Sequence, residues 1–581
     1  MFLPATRREL DALGWDRPDV ILVTGDAYID SPHVGVAVVG KWLLHHGIRA
    51  AVLAQPAVDR PDDIARLGEP RLFWGVTAGC IDSLVANYTP TLKPRRQDDY
   101  TPGGVNVRPD RASIVYTNLI RRCFKNTRPI VLGGLEASLR RIAHYDYWTD
   151  DVRRSLLLDA KADWLAYGMA ERTVVELARA LRDGADPSGI PGLCRVAATA
   201  PAGFVALPSY EEAAADPVAF LRMAKALQAF ADADAPGLVQ RHGDRYLVQN
   251  PPPPVLTTEE LDAIYDLDFE RDVHPLHRAG GPVRALETIR QSITTHRGCF
   301  GQCRFCAIAV HQGPRVVFRS VASVVREAER IRARPGFNGI LYDVGGPTAN
   351  MYGATCAQGW ACRDKRCTMP RVCANLRQGH AAQIELLRRV REVPGIRKVF
   401  VSSGIRHDLV VADREHGRRY VRELVRHHVS GQIKLAPEHA EPEVLALMGK
   451  PGPGALEAFK AMFDGACEEA GERYFMTYYL MAAHPGCTEE HMRRLRRFLG
   501  ETLRHVPEQV QIFTPTPSTL STAMYHAGTD LEGRPLFVEK DRARKQRQKD
   551  ILRPAGGRRG GRMRGGTGWR GRPTSRPRGG V

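Results

Sequence analysis

Cys299, Cys303 and Cys306 lie within eight residues, spaced Cys-x3-Cys-x2-Cys, in a loop that also carries Gly298 and Gly301. No other stretch of the chain constrains its fold and chemistry as much. Three thiolates on one short loop can take three corners of a 4Fe-4S cube, whereas a closed zinc site or a fully ligated cluster needs a fourth ligand. The iron-sulfur reading leaves one iron open. The competing readings are plain buried thiols and three corners of a zinc site completed from elsewhere. A disulfide fits poorly, because three is odd and nothing points to an oxidising compartment.

The 581 residues leave room for two or more domains, and 43% hydrophobic with 25% charged residues is the composition of a globular chain. No apolar run approaches the ~18 residues of a membrane helix, and residues 1–10 (MFLPATRREL) lack the apolar stretch of a secretory signal. The expected location is cytoplasmic, with no membrane partner. Of twelve cysteines, seven (299, 303, 306, 356, 362, 367 and 373) fall in one segment; Cys80, Cys123, Cys194, Cys467 and Cys487 are scattered and read as buried thiols. The net charge of +18 is concentrated at one end. Residues 540–581 hold fifteen Lys or Arg against two Asp, a balance of +13, which leaves +5 for the other 539 residues.

Residues 1–200 alternate short apolar runs (20–23, 50–54, 72–76, 130–132, 164–167) with helical patterns such as 36–44 and 171–181, which predicts a parallel, doubly wound sheet. Gly133-Gly134 after one such run permits a strand-helix turn or a backbone approach to a phosphate. Residues 201–284 read as a helical, proline-rich connector around Pro251 to Pro254, since four prolines cannot continue a helix or central strand. From 285 to 535 six strand-like runs (292–295, 340–344, 399–402, 433–436, 475–480, 510–513) alternate with helical patterns, and the cysteine loop follows the first. A parallel barrel places its chemistry at the carboxyl ends of its strands. Polar groups there include Ser402, Ser403 and Arg406, then Glu438 beside His439, and His484. Glu438 and His439 form a candidate acid-base pair, set against ordinary structural hydrogen bonding.

The three cysteines, with Phe305 just before the last, resemble the signature of radical S-adenosylmethionine (SAM) enzymes. The resemblance implies that SAM chelates the open iron, that an electron from the 4Fe-4S cluster cleaves it to a 5'-deoxyadenosyl radical acting on a substrate the sequence does not reveal, and that a donor such as flavodoxin or ferredoxin supplies the electron. It also implies a partial (β/α)6 barrel over 285–535, with Phe305, Gly345 and Gly346 as cofactor-binding residues. Where the superfamily has Gly-Gly-Glu to receive the SAM amino group, this chain has Gly345-Gly346-Pro347, so the amino group needs another acceptor. The doubly wound first domain is similar to the cobalamin-binding domain that precedes many such barrels. Its nearest match to Asp-x-His-x-x-Gly is Asp30-Ser31-Pro32-His33-Val34-Gly35, with the wrong spacing. The expectation is the fold without the cofactor. Gly-Gly-Pro-Thr-Ala-Asn (345–350), Ala-Pro-Glu-His (436–439) and Ala-His-Pro-Gly (483–486) resemble the YgiQ-like branch of the superfamily.

Cys356, Cys362, Cys367 and Cys373 fall in an insertion, 347–378, without regular periodicity. An auxiliary iron-sulfur cluster, a structural zinc, or free thiols acidified by Arg363, Lys365, Arg366 and Arg371 are all admissible. Residues 536–581 read as a basic, Arg/Gly-rich disordered tail, in which Trp569 is available to stack on a base. The rival to the enzyme is therefore a metal-stabilised RNA-binding protein, or an RNA-modifying radical SAM enzyme that uses this tail.

Overall fold

The computed structural model describes residues 1–362, 366–504 and 509–553. β1 (Val20–Thr24) and β2 (Ala50–Ala54) are buried at every position, as strands covered by helices on both faces must be. With β3 (Phe73–Thr77), β4 (Ile130–Leu132) and β5 (Trp164–Ala166) they form a parallel sheet in the order β2-β1-β3-β4-β5. That is a doubly wound order whose direction reverses between β1 and β3, where such sheets leave a crevice at the carboxyl ends of their strands.

The connector expected over 201–284 is corrected by the sheet itself. β6 (Leu193–Ala197) adds antiparallel to β5, and β7 (Val205–Ala206), β8 (Leu238–His242) and β9 (Arg245–Gln249) extend the sheet to nine strands in the order β7-β8-β9-β6 and onward. β8 and β9 are a hairpin closed at Gly243-Asp244, with His242 opposite Arg245. A two-residue Gly-Asp turn between strand-like runs is a hairpin signal, overshadowed in the sequence by the helical patterns around it. The four prolines leave the sheet after β9, and Pro252, Pro253 and Pro254 line a cavity of about 140 Å³ shared with Arg297 and His311.

The second unit has its six parallel strands where the sequence predicts them. β10 (Ser292–Thr294) pairs with β12 (Asp343–Gly345), and β11 (Ile340–Leu341), the first half of the same strand, pairs with β13 (Lys398–Val399). A bridge from Ile405 to Leu435 leads to β14 (Gln432–Glu438), and β15 (Phe475–Ala482) and β16 (Val510–Ile512) complete the series. Helices Val321–Arg332, His380–Arg391, Gly417–Glu423, Gly454–Ala470 and Glu489–Glu501 alternate with the strands. This is an α/β chain: a doubly wound domain followed by a partial (β/α)6 barrel.

A further correction concerns the tail. Residues 542–551 form a helix, Arg542–Ile551, capped by Asp541 through the Arg544 N-H at 2.7 Å. Its Lys545 is completely buried, donating to the hydroxyls of Tyr147 (3.0 Å) and Tyr525 (2.8 Å), one from each domain. Gln548 bonds the backbone of Ala483 and Cys487. Composition marks this segment as too polar to fold because it cannot register a lysine whose stem and charge are both taken up by aromatic partners. Residues 554–581, with Trp569, lie outside the described residues. Among the described residues no helix is long and apolar enough to cross a membrane.

Candidate active site at the barrel mouth

The cysteine loop leaves β10 through His296–Arg297, which pairs antiparallel with Val317–Phe318. Cys299, Cys303 and Cys306 are half-buried and line one cavity of about 150 Å³, together with Phe305, Pro347, Thr348, Arg406, Asp408, Glu438 and Lys450. Gly301 lets the loop close on Arg406: a Cβ there would stand 2.6 Å from Arg406 Nη1. The Arg406 Nη1 donates towards the Cys303 sulfur at 3.7 Å, and Thr348 Oγ1 lies 3.7 Å from the sulfur of Cys299. Burial pushes the Cys306 thiol up to about 12 and the Cys299 thiol upward too. Thiolates in this cavity therefore need positive charge to compensate for lost solvation.

Arg406 is itself buried and grips Asp408 with two bonds of 2.6 and 2.9 Å. Burial opposes both charges, but the pairing outweighs it: the Arg406 guanidinium is pushed above its usual range and the Asp408 carboxyl is held down at about 2. Opposite them stands Glu438, at the end of β14, with φ of +68°. A glutamate in the left-handed region is strained, and such strain gathers at functional sites. Burial pushes its carboxyl up, against the pull of Lys450, whose Nζ is 3.8 Å away and 5.9 Å from the centre of the Phe305 ring.

His439 does not join Glu438, which corrects the acid-base pair. It lies outside the cavity, fully packed, its Nδ1 accepting the Glu441 N-H at 3.1 Å and its Nε2 3.6 Å from the Cys487 sulfur. Neighbours at a strand end point to opposite faces, and burial pulls this imidazole down to about 3. His484 is likewise structural, held between Pro485 O and Ser521 Oγ.

Gly345 and Gly346 line a larger neighbouring cavity and not the cysteine cavity, which begins at Pro347. The Gly345 carbonyl accepts from the N-H and hydroxyl of Thr295, at 2.7 and 3.0 Å. A Cβ on Gly346 would sit 2.5 Å from the imidazole of His296, so the second glycine is imposed by that buried ring. The larger cavity, about 580 Å³, lies between the carboxyl ends of the first sheet and the barrel mouth, and shares Ile308 and Pro347 with the cysteine cavity. Gly133, Gly134 and His33 line it; His33 Nδ1 is 3.3 Å from Ser31 Oγ, and burial pulls the ring down to about 3.

The insertion folds beside the loop. Cys356 is on a two-stranded ribbon, Thr355–Cys356 with Leu376–Arg377, while Cys367 and Cys373 join Phe300 and Met351 in a small apolar cluster. Cys362 is half-buried, and Arg363 and Lys365 lie outside the described residues. Among the described residues no three His, Cys, Asp or Glu side chains converge as a single-ion metal site requires. Sequence reasoning missed Asp408 and Lys450. Lys450 follows the helix Pro442–Met448 and its left-handed cap Gly449, a place where a lysine ordinarily reads as a dipole partner.

Two family models divide most of the chain: one described as Radical SAM N-terminal matches residues 2–292, and one described as Radical SAM superfamily matches residues 293–499. They define the class, a two-domain radical SAM enzyme. A UPF0313 protein of Fusobacterium nucleatum is 50% identical over 558 residues, covering 95% of this chain and 98% of the relative. One of Thermotoga maritima is 47% identical over 563 residues, with the same coverage of 95% and 98%. The chain belongs to the UPF0313 family. Its fold is similar to that of the radical SAM methyltransferase TsrM of Kitasatospora setae, solved with cobalamin and a 4Fe-4S cluster bound (TM-score 0.50, 17% identity, 91% of this chain and 84% of that one). It is also similar to that of OxsB, a cobalamin-dependent SAM radical enzyme solved with aqua-cobalamin (TM-score 0.50, 11% identity, 90% and 57%). At these identities the likeness is one of fold.

Proposed function

We propose that Cys299, Cys303 and Cys306 hold a 4Fe-4S cluster in the 150 Å³ cavity, that SAM binds beside it, and that the substrate is reached through the larger cavity beyond Pro347. The observation that carries this is that three thiols, Arg406, Glu438 and Lys450 line one cavity at a barrel mouth. The donor set fits the group: three soft ligands leave one iron free, and the buried cation at Cys303 favours thiolate. A cluster bound there supplies the electron that splits SAM into methionine and a 5'-deoxyadenosyl radical, with flavodoxin or ferredoxin as the class of donor.

The chain's own residues then have distinct tasks. Glu438 replaces the acid that Pro347 displaces and accepts the SAM amino group; the ligand's positive charge relieves a carboxylate held in a dry site. Lys450 receives the SAM carboxylate, and Phe305 underlies it. Gly345 and Gly346 let the cofactor lie close to the strand backbone. Anaerobically reconstituted, dithionite-reduced protein should convert SAM into 5'-deoxyadenosine and methionine, and Cys303→Ala should yield neither while keeping its circular dichroism spectrum. Unchanged product from that variant overturns the reading.

A further inference from the structure

Seven arginines are buried among the described residues, and six of them meet a carboxylate: Arg108 with Asp26 and Asp98, Arg140 with Asp82, Arg271 and Arg319 with Glu327, Arg297 with Glu171, and Arg406 with Asp408. Arg141 is the seventh. It is 3% exposed, and among the described residues no carboxylate pairs with it. Its Nε donates to Gln249 Oε1 at 2.8 Å and its Nη1 to the Ser138 carbonyl at 2.5 Å, both neutral groups, and the guanidinium carbon lies 5.0 Å from the centre of the Tyr167 ring. These contacts position the charge without neutralising it. Nη2 donates to no acceptor among the described residues. A buried ion without a counter-charge costs several kcal/mol, and arginine is seldom fully buried unless paired. Burial accordingly pulls this guanidinium below its usual range.

Arg141 lines the cavity of about 140 Å³ beside the proline run. The other charges there close on one another or on acids nearby: Arg297 on Glu171, Arg315 on Asp232 and Arg172 on Glu260. His311, its Nδ1 3.0 Å from Ser138 Oγ, is pulled down to about 4 by burial and then by the charges of Arg141 and Arg297, so it is neutral at pH 7. One positive charge is left over. Much of the remaining wall is apolar, with Phe230, Pro252, Pro253, Leu256 and Leu261, and proline adds no N-H donor to it. From this balance we infer that the cavity is a second ligand site, beside the larger cavity, for a small monocarboxylate whose charged end meets Arg141 and whose hydrocarbon body packs against the prolines. An apolar cavity of about 150 Å³ takes a benzene ring, which sets the size of that body. The unused N-H groups of a guanidinium suit a carboxylate, whereas a phosphate brings nearly two negative charges to one cation and covers no apolar wall. The site lies one helix from the cysteines: Ile308 and Ala309 of the helix Ile308–Gln312 line the cysteine cavity, and Val310, His311 and Gln312 line this one.

The test uses the full-length, iron-loaded chain, titrated calorimetrically under anaerobic conditions with benzoate, with benzamide as its neutral isostere, and with inorganic phosphate. Benzoate should saturate near one per chain, benzamide should bind at least about tenfold more weakly, as the loss of a charge-assisted bond requires, and phosphate should not saturate. Arg141→Met should weaken benzoate by at least the same factor and remove its advantage over benzamide, with iron and sulfide content at the wild-type level. Should that variant fold poorly, Ala231→Phe, which keeps the arginine and adds bulk to the lining, should weaken benzoate and benzamide alike. Absence of saturable benzoate binding, benzamide binding as tightly as benzoate, phosphate saturating in its place, or benzoate binding undiminished by both substitutions overturns the inference. The titration does not read SAM cleavage, so production of 5'-deoxyadenosine by protein that refuses benzoate would leave the radical SAM reading intact while removing this one.

Discussion

Arg406 Nη1 lies 3.7 Å from the sulfur of Cys303, and the guanidinium that carries it is fixed from behind by Asp408 at 2.6 Å. The Arg406 backbone is held as well: its N-H donates to Asn350 Oδ1 at 2.8 Å, and its carbonyl accepts from Asn350 Nδ2 at 3.0 Å. A loop that follows β13 thus delivers one oriented positive charge to a loop that follows β10. The charge lies against a sulfur, not in solvent, where it acts on thiolate formation and on the electronics of any iron bound there.

Replacing Arg406 by Met leaves Asp408 buried and unpaired, which should cost about 3–5 kcal/mol of stability. The double variant Arg406→Met/Asp408→Leu should recover most of that loss in denaturant titrations. Both variants should retain less iron and sulfide after reconstitution, because the sulfur has lost its cation either way. Recovery of iron in the double variant would make the pair purely structural. The acid side has a sign of its own. Asp408 is held at about 2 in the fold, below the ~3.9 of an unfolded chain, so its contribution is present above pH ~4 and lost as pH falls through 2.

Glu438→Gln keeps the shape of the side chain and removes its charge. If the carboxylate accepts the SAM amino group, affinity for SAM should fall by about 30-fold, ~2 kcal/mol, the cost of losing a charge-assisted bond. Iron content should not change. Equilibrium dialysis with SAM decides it. His439→Ala, one residue on, should leave SAM affinity unchanged and lower thermal stability, since His439 is packed against Cys487 rather than facing the cavity.

Gly346→Ala places a methyl 2.5 Å from the His296 ring, which is buried and bonded at both nitrogens, to Thr295 Oγ1 and Thr348 O. The ring has no free direction to yield, so overpacking should cost about 1–3 kcal/mol. Thermal unfolding of Gly346→Ala beside Gly346→Ala/His296→Ala separates this from a role in binding: the second change should restore part of the lost Tm.

The barrel was legible in the sequence because each strand is a short apolar run followed by a helical period, and the cysteine loop marks the first. Strand ends also marked Arg406 and Glu438 as mouth-facing groups, but not their approach to the cysteines, nor Asp408 and Lys450. Arg406 comes from one later strand-helix unit and Glu438 and Lys450 from the next, and they reach the cysteines by tertiary approach, which no spacing records. β7, β8 and β9 were obscured by the helical patterns and prolines around them, and the final helix by its charge.

Lys545 fastens both domains to the C-terminal helix, with its ammonium 4.8 Å from the centre of the Tyr147 ring and 4.7 Å from that of Tyr525. Burial pulls its pKa to about 8, although Glu539 opposes this. An unfolded lysine titrates near 10.4, so between these values the unfolded chain binds more protons and stability rises with pH. Burial raises the hydroxyls of Tyr147 and Tyr525 above their usual ~10, so their opposing contribution begins only above pH ~10. Asp150, Glu539, Lys540 and Arg542 are the other charged groups that face the ammonium. Wild-type resistance to urea should therefore increase by on the order of 1–2 kcal/mol from pH 8 to 9.5. Lys545→Met, close in shape and free of charge, should be flat over the same range. A parallel rise in the variant would assign the pH dependence to some other group, and a flat wild type would mean that the lysine already holds its proton as firmly in the fold as in water.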